Sequence, residues 1–148
     1  IAWGIAKKLH ENGAKLAITY QNETLFKRVK PLADKVNSEL LLECDFSKDN
    51  AIETVINEVS NKWQNLDFII HAVAYSDKTE LNGRYIDTSK ENFIKSLNIS
   101  CFSFTKIAST LPITGVRFVF IIYPFSSNLL VNSSLKAFGS TLISSGNH

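Results

Sequence analysis

The chain has 148 residues, 45% of them apolar and 11% aromatic, which is enough to bury one core of ordinary size and argues against disorder. Its 16 Lys and Arg and 14 Asp and Glu are interspersed, for a net charge of +2, a balance that argues against a nucleic-acid partner or an anionic membrane surface. The longest apolar run, Val116 to Pro124, is interrupted by Arg117 and falls short of the roughly 20 residues a membrane-crossing helix needs.

Ile1, Ala2, Ile5, Ala6 and Leu9 recur at helical spacing, and Gly13 stands where a helix stops in a left-handed residue. The first predicted element is therefore a helix. Ala14 to Tyr20 reads as a strand, Glu23 to Asn37 as a helix started or kinked by Pro31, and Ser38 to Cys44 as a second strand. Asp45 to Asp49 supply a loop and a helix cap, and Ala51 to Trp63 form a helix with Ile52, Val55, Ile56 and Val59 on one face. Phe68 to Ala74 is almost wholly apolar, as in a parallel strand covered on both faces. A polar connection, Tyr75 to Asp87, leads to one long helix from Ser89 to about Leu111 that contains Phe93, Leu97, Phe102 and Ile107. Arg117 to Tyr123 is a further strand, and Asn132 to Ser145 a weakly patterned helix.

This alternation implies an α/β fold: a Rossmann-like doubly wound parallel sheet with helices on both faces, in one domain over residues 1–148. The chain starts inside a helix, so the fold is expected to be incomplete, lacking its first strand and its C-terminal part. Cys44 and Cys101 form no CxxC pair, and with three scattered histidines the expectation is a reduced, cytoplasmic protein without a metal site.

In such a sheet ligands sit beyond the carboxyl ends of the strands, which directs attention to Gln21, Asp45, Phe46, Ala74, Tyr75, Ser76 and Tyr123. An amide at Gln21 can hydrogen-bond a ribose hydroxyl, and Asp45 fits either a ligand contact or the N-cap of the following helix. His71, inside an apolar strand, reads as a hydrogen-bonded core residue, and Cys101 as a small core side chain. The stretch Lys27 to Lys35 reads as a solvated helix face.

Several segments, in order, carry a family resemblance: Ile1-Ala2-Trp3-Gly4-Ile5-Ala6, Thr19-Tyr20-Gln21-Asn22-Glu23, Lys27-Arg28-Val29 with Pro31-Leu32-Ala33, and Cys44-Asp45. They continue with Trp63, Asp67-Phe68, His71, Leu81-Asn82-Gly83-Arg84-Tyr85 and Asn98-Ile99-Ser100-Cys101-Phe102-Ser103-Phe104. Over residues 1 to about 110 the chain resembles bacterial NADH-dependent enoyl-acyl-carrier-protein reductases of the short-chain dehydrogenase superfamily; residues 111–148 resemble them faintly. The resemblance implies NADH/NAD as cofactor, an enoyl substrate linked to acyl carrier protein, and a homotetramer in the intact family. It implies cofactor contacts at Ile1, Gln21 (adenosine ribose), Asp45 and Phe46 (adenine) and Val73 (nicotinamide ribose), with Ser76 on the substrate side. Ala74 stands where the family has Gly.

The same resemblance places Tyr123 at the first aromatic of the catalytic region. The Y-x6-K pair that follows in the family falls here on Ser133 and Ser140 or, with four residues deleted, on Leu129 and Lys136. Neither alignment has a tyrosine, and a serine hydroxyl is shorter and less acidic than a phenol, so little or no turnover is expected. The alternative is a non-catalytic remnant, at most a weak nucleotide-binding or subunit-association module.

Overall fold

The computed structural model describes residues 1–63 and 65–111 and the backbone of Val119–Ile122. Four parallel strands, β1 (Leu16–Tyr20), β2 (Leu40–Glu43), β3 (Phe68–His71) and β4 (Val119–Ile122), form one sheet in the order β2-β1-β4-β3. Ala17 pairs with Leu40 on one side and Phe120 on the other, and Phe120 pairs with Ile69. In the usual doubly wound order a strand preceding the first helix holds the centre of the sheet. Here β4 lies in that place, between β1 and β3.

Side chains of successive strand residues point to opposite faces, and β1 feeds two cores. Leu16 and Ile18 pack with Ala6 of α1 (Ala2–Glu11) and with Val29 and Ala33 of α2 (Glu23–Lys35). Ala17 faces the other way, toward Ile52, Val55, Ile56 and Val59 of α3 (Ala51–Lys62) and Ile107 of α5 (Ser103–Thr110). Helices therefore cover both faces of the sheet, as the element rhythm implied.

Local signals explain most boundaries. Gly13 takes φ 84 just after α1, a conformation that costs glycine nothing. Asn22 caps α2, its side chain accepting from the Leu25 backbone N–H at 3.1 Å, and α2 continues through Pro31 with that residue on its exposed side. The cap of α3 is Asn50, in a left-handed conformation. Asp45 lies six residues before the helix and is not its N-cap.

Two expectations are corrected, and a third is refined. β3 ends at His71, so Val73 and Ala74 belong to the connection and not to the strand. The helix expected from Ser89 to Leu111 runs from Lys90 to Thr110 as α4 (Lys90–Leu97), a π-turn (Asn98–Phe102) and α5 in unbroken succession. Within the π-turn the Ser103 hydroxyl donates to the Ile99 carbonyl at 2.7 Å, and a side chain that takes a main-chain carbonyl loosens the regular ladder. Cys101 is exposed and is no core residue. The face it shares is inverted: Phe93, Ile94, Leu97 and Phe102 are 43%, 55%, 46% and 57% exposed, whereas Asn92 and Ser103 are buried. The helix expected over Asn132 to Ser145 lies outside the described residues.

Candidate functional site

Because the strands are parallel, their carboxyl ends share one edge, and the connections leaving β1, β2 and β3 meet there. Gln21 follows β1 and Asp45 follows β2, a neighbouring pair in the sheet; the Gln21 amide donates to Asp45 Oδ1 at 3.4 Å. The same oxygen accepts from the Ser47 backbone N–H at 3.0 Å and the Ser47 hydroxyl at 2.7 Å. Partial burial pushes the Asp45 carboxyl up, but the Ser47 hydroxyl, the Ser47 N–H, the Gln21 amide and the Lys48 charge outweigh it and hold the group below its usual value. An ionised carboxylate sits there at neutral pH.

Phe46 leaves this turn to pack edge-on against the His71 ring, with ring centroids 6.1 Å apart, and Phe104 meets the same imidazole at 5.5 Å. His71 Nε2 lies 2.7 Å from the Ser103 hydroxyl oxygen. The Ser103 proton is committed to the Ile99 carbonyl, so the imidazole Nε2–H is the donor in this pair. Burial pushes the His71 pKa below the ordinary histidine value. The ring is a neutral, hydrogen-bonded wall between the β2 and β3 ends.

After β3, Val73 is buried and Tyr75 is clamped to the π-turn: its N–H donates to the Ser100 hydroxyl oxygen at 2.9 Å, and that hydroxyl donates to the Tyr75 carbonyl at 3.4 Å. Lys95 places its ammonium 5.0 Å above the Tyr75 ring centroid, a cation–π contact. Ser76 accepts from the Asn92 amide at 3.2 Å.

The structure thus brings Gln21, Asp45 and Phe46 together and sets Val73 and Ser76 on the connection that leaves β3. Ile1 is fully exposed at the start of α1. Tyr123, Ser133 and Ser140 lie outside the described residues. Asn92 and Glu80 carry no role in the sequence reading, and Ser100 enters it only within the segment Asn98 to Phe104. For Asn92 the available signal is its helical spacing with Ser96 and Ser103, which puts three small polar groups on one face beside Ile99.

A family model described as enoyl-(acyl carrier protein) reductase matches residues 1–113. The chain is 54% identical over 108 residues to enoyl-acyl-carrier-protein reductase (NADH) 2 of Rhizobium meliloti (strain 1021), a match covering 73% of this chain and 40% of that protein. It is 38% identical over 138 residues to the corresponding NADH reductase of Rickettsia typhi (strain ATCC VR-144 / Wilmington), covering 91% of this chain and 53% of that one. Among solved structures, the Anaplasma phagocytophilum reductase in complex with NAD superposes with a TM-score of 0.69 at 49% identity, over 73% of this chain and 41% of that one. The Aquifex aeolicus VF5 enzyme gives 0.74 at 36% identity, over 81% and 48%. The chain spans 40% to 53% of the length of these two curated relatives.

Proposed function

The chain belongs to the enoyl-(acyl carrier protein) reductase family, and on that premise we propose that its described residues form the adenosine-side part of an NADH site in an enzyme that reduces trans-2-enoyl thioesters carried on acyl carrier protein. One observation carries this reading: Gln21 and Ser47 both direct their hydrogen bonds to Oδ1 of Asp45. The carboxylate is fixed in place while Oδ2 can accept from an amino group such as that of adenine. Phe46 supplies an aromatic wall beside it, Gln21 an amide within reach of ribose hydroxyls, and Val73 and Ser76 the nicotinamide and substrate side. Ile1 contributes at the start of α1, and Tyr123 stands for the catalytic aromatic.

Among the described residues no glycine-rich segment joins a strand to a helix, so these residues by themselves offer a pyrophosphate no backbone cradle of the kind found at such sites. Binding of NADH by the 148-residue chain alone is therefore expected at about millimolar or weaker, with negligible turnover. Titrating NADH into the 15N-labelled chain tests this: amide shifts at Gln21, Asp45 and Phe46 that vanish in Asp45→Ala support the site. Shifts spread evenly over the surface sink it. NADH oxidation with a crotonyl thioester should stay at background, and a rate near that of an intact reductase overturns the inactive reading.

A second reading, subunit association, is favoured by the inverted face of α4 and the π-turn. Four large apolar side chains face outward there, the pattern of a surface covered by another chain. A second copy, and ultimately a homotetramer, fits that face.

A further inference from the structure

Asn92 is 6% exposed, and a buried amide is tolerated only when its two donors and two lone pairs are used. All four are. Its Nδ2 donates to the Ser76 hydroxyl and to Glu80 Oε2, each at 3.2 Å, and its Oδ1 accepts from the Asp77 N–H at 2.9 Å and the Ser96 hydroxyl at 3.2 Å. Three of the groups it joins come from the connection between β3 and α4, and Ser96 from α4 itself. Ser76 and Asp77 lie near the start of the connection. Glu80, mid-way along it, takes the backbone N–H of Ser89 at its far end at 2.8 Å and the Ser89 hydroxyl at 2.7 Å.

Ser89 is the N-cap of α4, and its hydroxyl oxygen accepts from the Asn92 N–H at 3.1 Å. In a capping box the third helical residue, here Asn92, would return a carboxylate or amide to the cap N–H. Glu80, from the preceding loop, does this instead, and the Asn92 side chain is released to face the segment after β3. The Ser89 hydroxyl and N–H, followed by the Asn92 amide, hold the Glu80 carboxyl below its usual value, and its charge lies at the positive end of α4.

We propose that Asn92 is the positioning residue for Tyr75–Asp77, holding the nicotinamide and substrate wall in register with α4 while Ser100 holds it from the π-turn. The proposal rests on the NADH reading of the site, and Asn92 itself touches neither cofactor nor substrate.

The test uses the 148-residue chain with amide exchange and NADH titration read residue by residue. In Asn92→Ala, exchange at Asp77 should accelerate about tenfold, the effect of losing one hydrogen bond to a buried acceptor, while Ile18 and Leu41 in the sheet keep their protection. With NADH as probe, shifts at Val73–Asp77 should shrink and those at Gln21 and Asp45 persist. The near-isosteric Asn92→Asp keeps the acceptor for Asp77 but sets a carboxylate against Glu80, so protection should hold at Asp77 and fall at Ser89. A uniform loss of protection in the alanine variant, or an aspartate variant unchanged at Ser89, overturns the positioning role. Absence of NADH shifts anywhere in the wild-type chain removes the cofactor reading and leaves Asn92 judged on exchange alone.

Discussion

Cys44 follows β2 in the core, where burial, with Asp45 and Glu53 nearby, pushes its thiol up to about 12; Cys101 lies on the exposed side of the π-turn. Since the thiolate is the reactive form, iodoacetamide at pH 8 should label Cys101 in the native chain and leave Cys44 intact, as read by mass spectrometry; equal rates would show that the core around Cys44 does not form. His71 makes a pH prediction. Its folded pKa is lowered by burial, so the unfolded chain binds more protons near the ordinary histidine value, and stability falls as pH drops through that value toward the folded one. Asp45, Asp77 and Glu80 are held below their usual values and titrate beneath this window. The urea midpoint should decline from pH 7.5 to 5.5, and His71→Leu should flatten that slope; an equal slope in the variant excludes His71 as the source. At this scale Gln21, Asp45 and Phe46 were legible because a residue directly after a parallel strand has a known place. Asn92 was not, because its importance lies in partners 12 to 16 residues away.

Strands and helices were legible to within a few residues wherever apolar periodicity was strong, as in α3, whose Ile52, Val55, Ile56 and Val59 are buried as read. The helical spacing read from Ser89 to about Leu111 is borne out from Lys90 to Thr110. Of Phe93, Leu97, Phe102 and Ile107 only Ile107 is buried, beside Asn92, Ile99 and Ser103, and nothing in the periodicity marks the π-turn. Composition supports either face of a helix as the buried one when polar partners wait on the protein side. The outward apolar face of α4 should drive association. In sedimentation velocity the wild-type chain should self-associate, and Phe93→Asp with Leu97→Asp should shift it to monomer with its melting temperature retained, because neither side chain belongs to the core clusters. A wild-type chain that stays monomeric at high concentration counts against association through this face.

Across the molecule, β4 joins β1 to β3, and each of its four residues is paired on both sides. Proline has no N–H to donate and is excluded from central strands, so Phe120→Pro should abolish cooperative urea unfolding followed by far-UV circular dichroism. A midpoint unchanged from wild type would mean that β4 does not hold the sheet. The α/β class, the parallel strands, the family and the positions after β1 and β2 can be read along the chain, because period, turn residues and strand ends are local properties. That β4 lies between β1 and β3, that α4 turns its apolar face outward, and that Asn92 ties the connection after β3 to α4 emerge only once the chain is folded. Each of these depends on which distant groups meet, and a hydrogen bond or pairing between segments far apart in the chain leaves no periodic trace in either one.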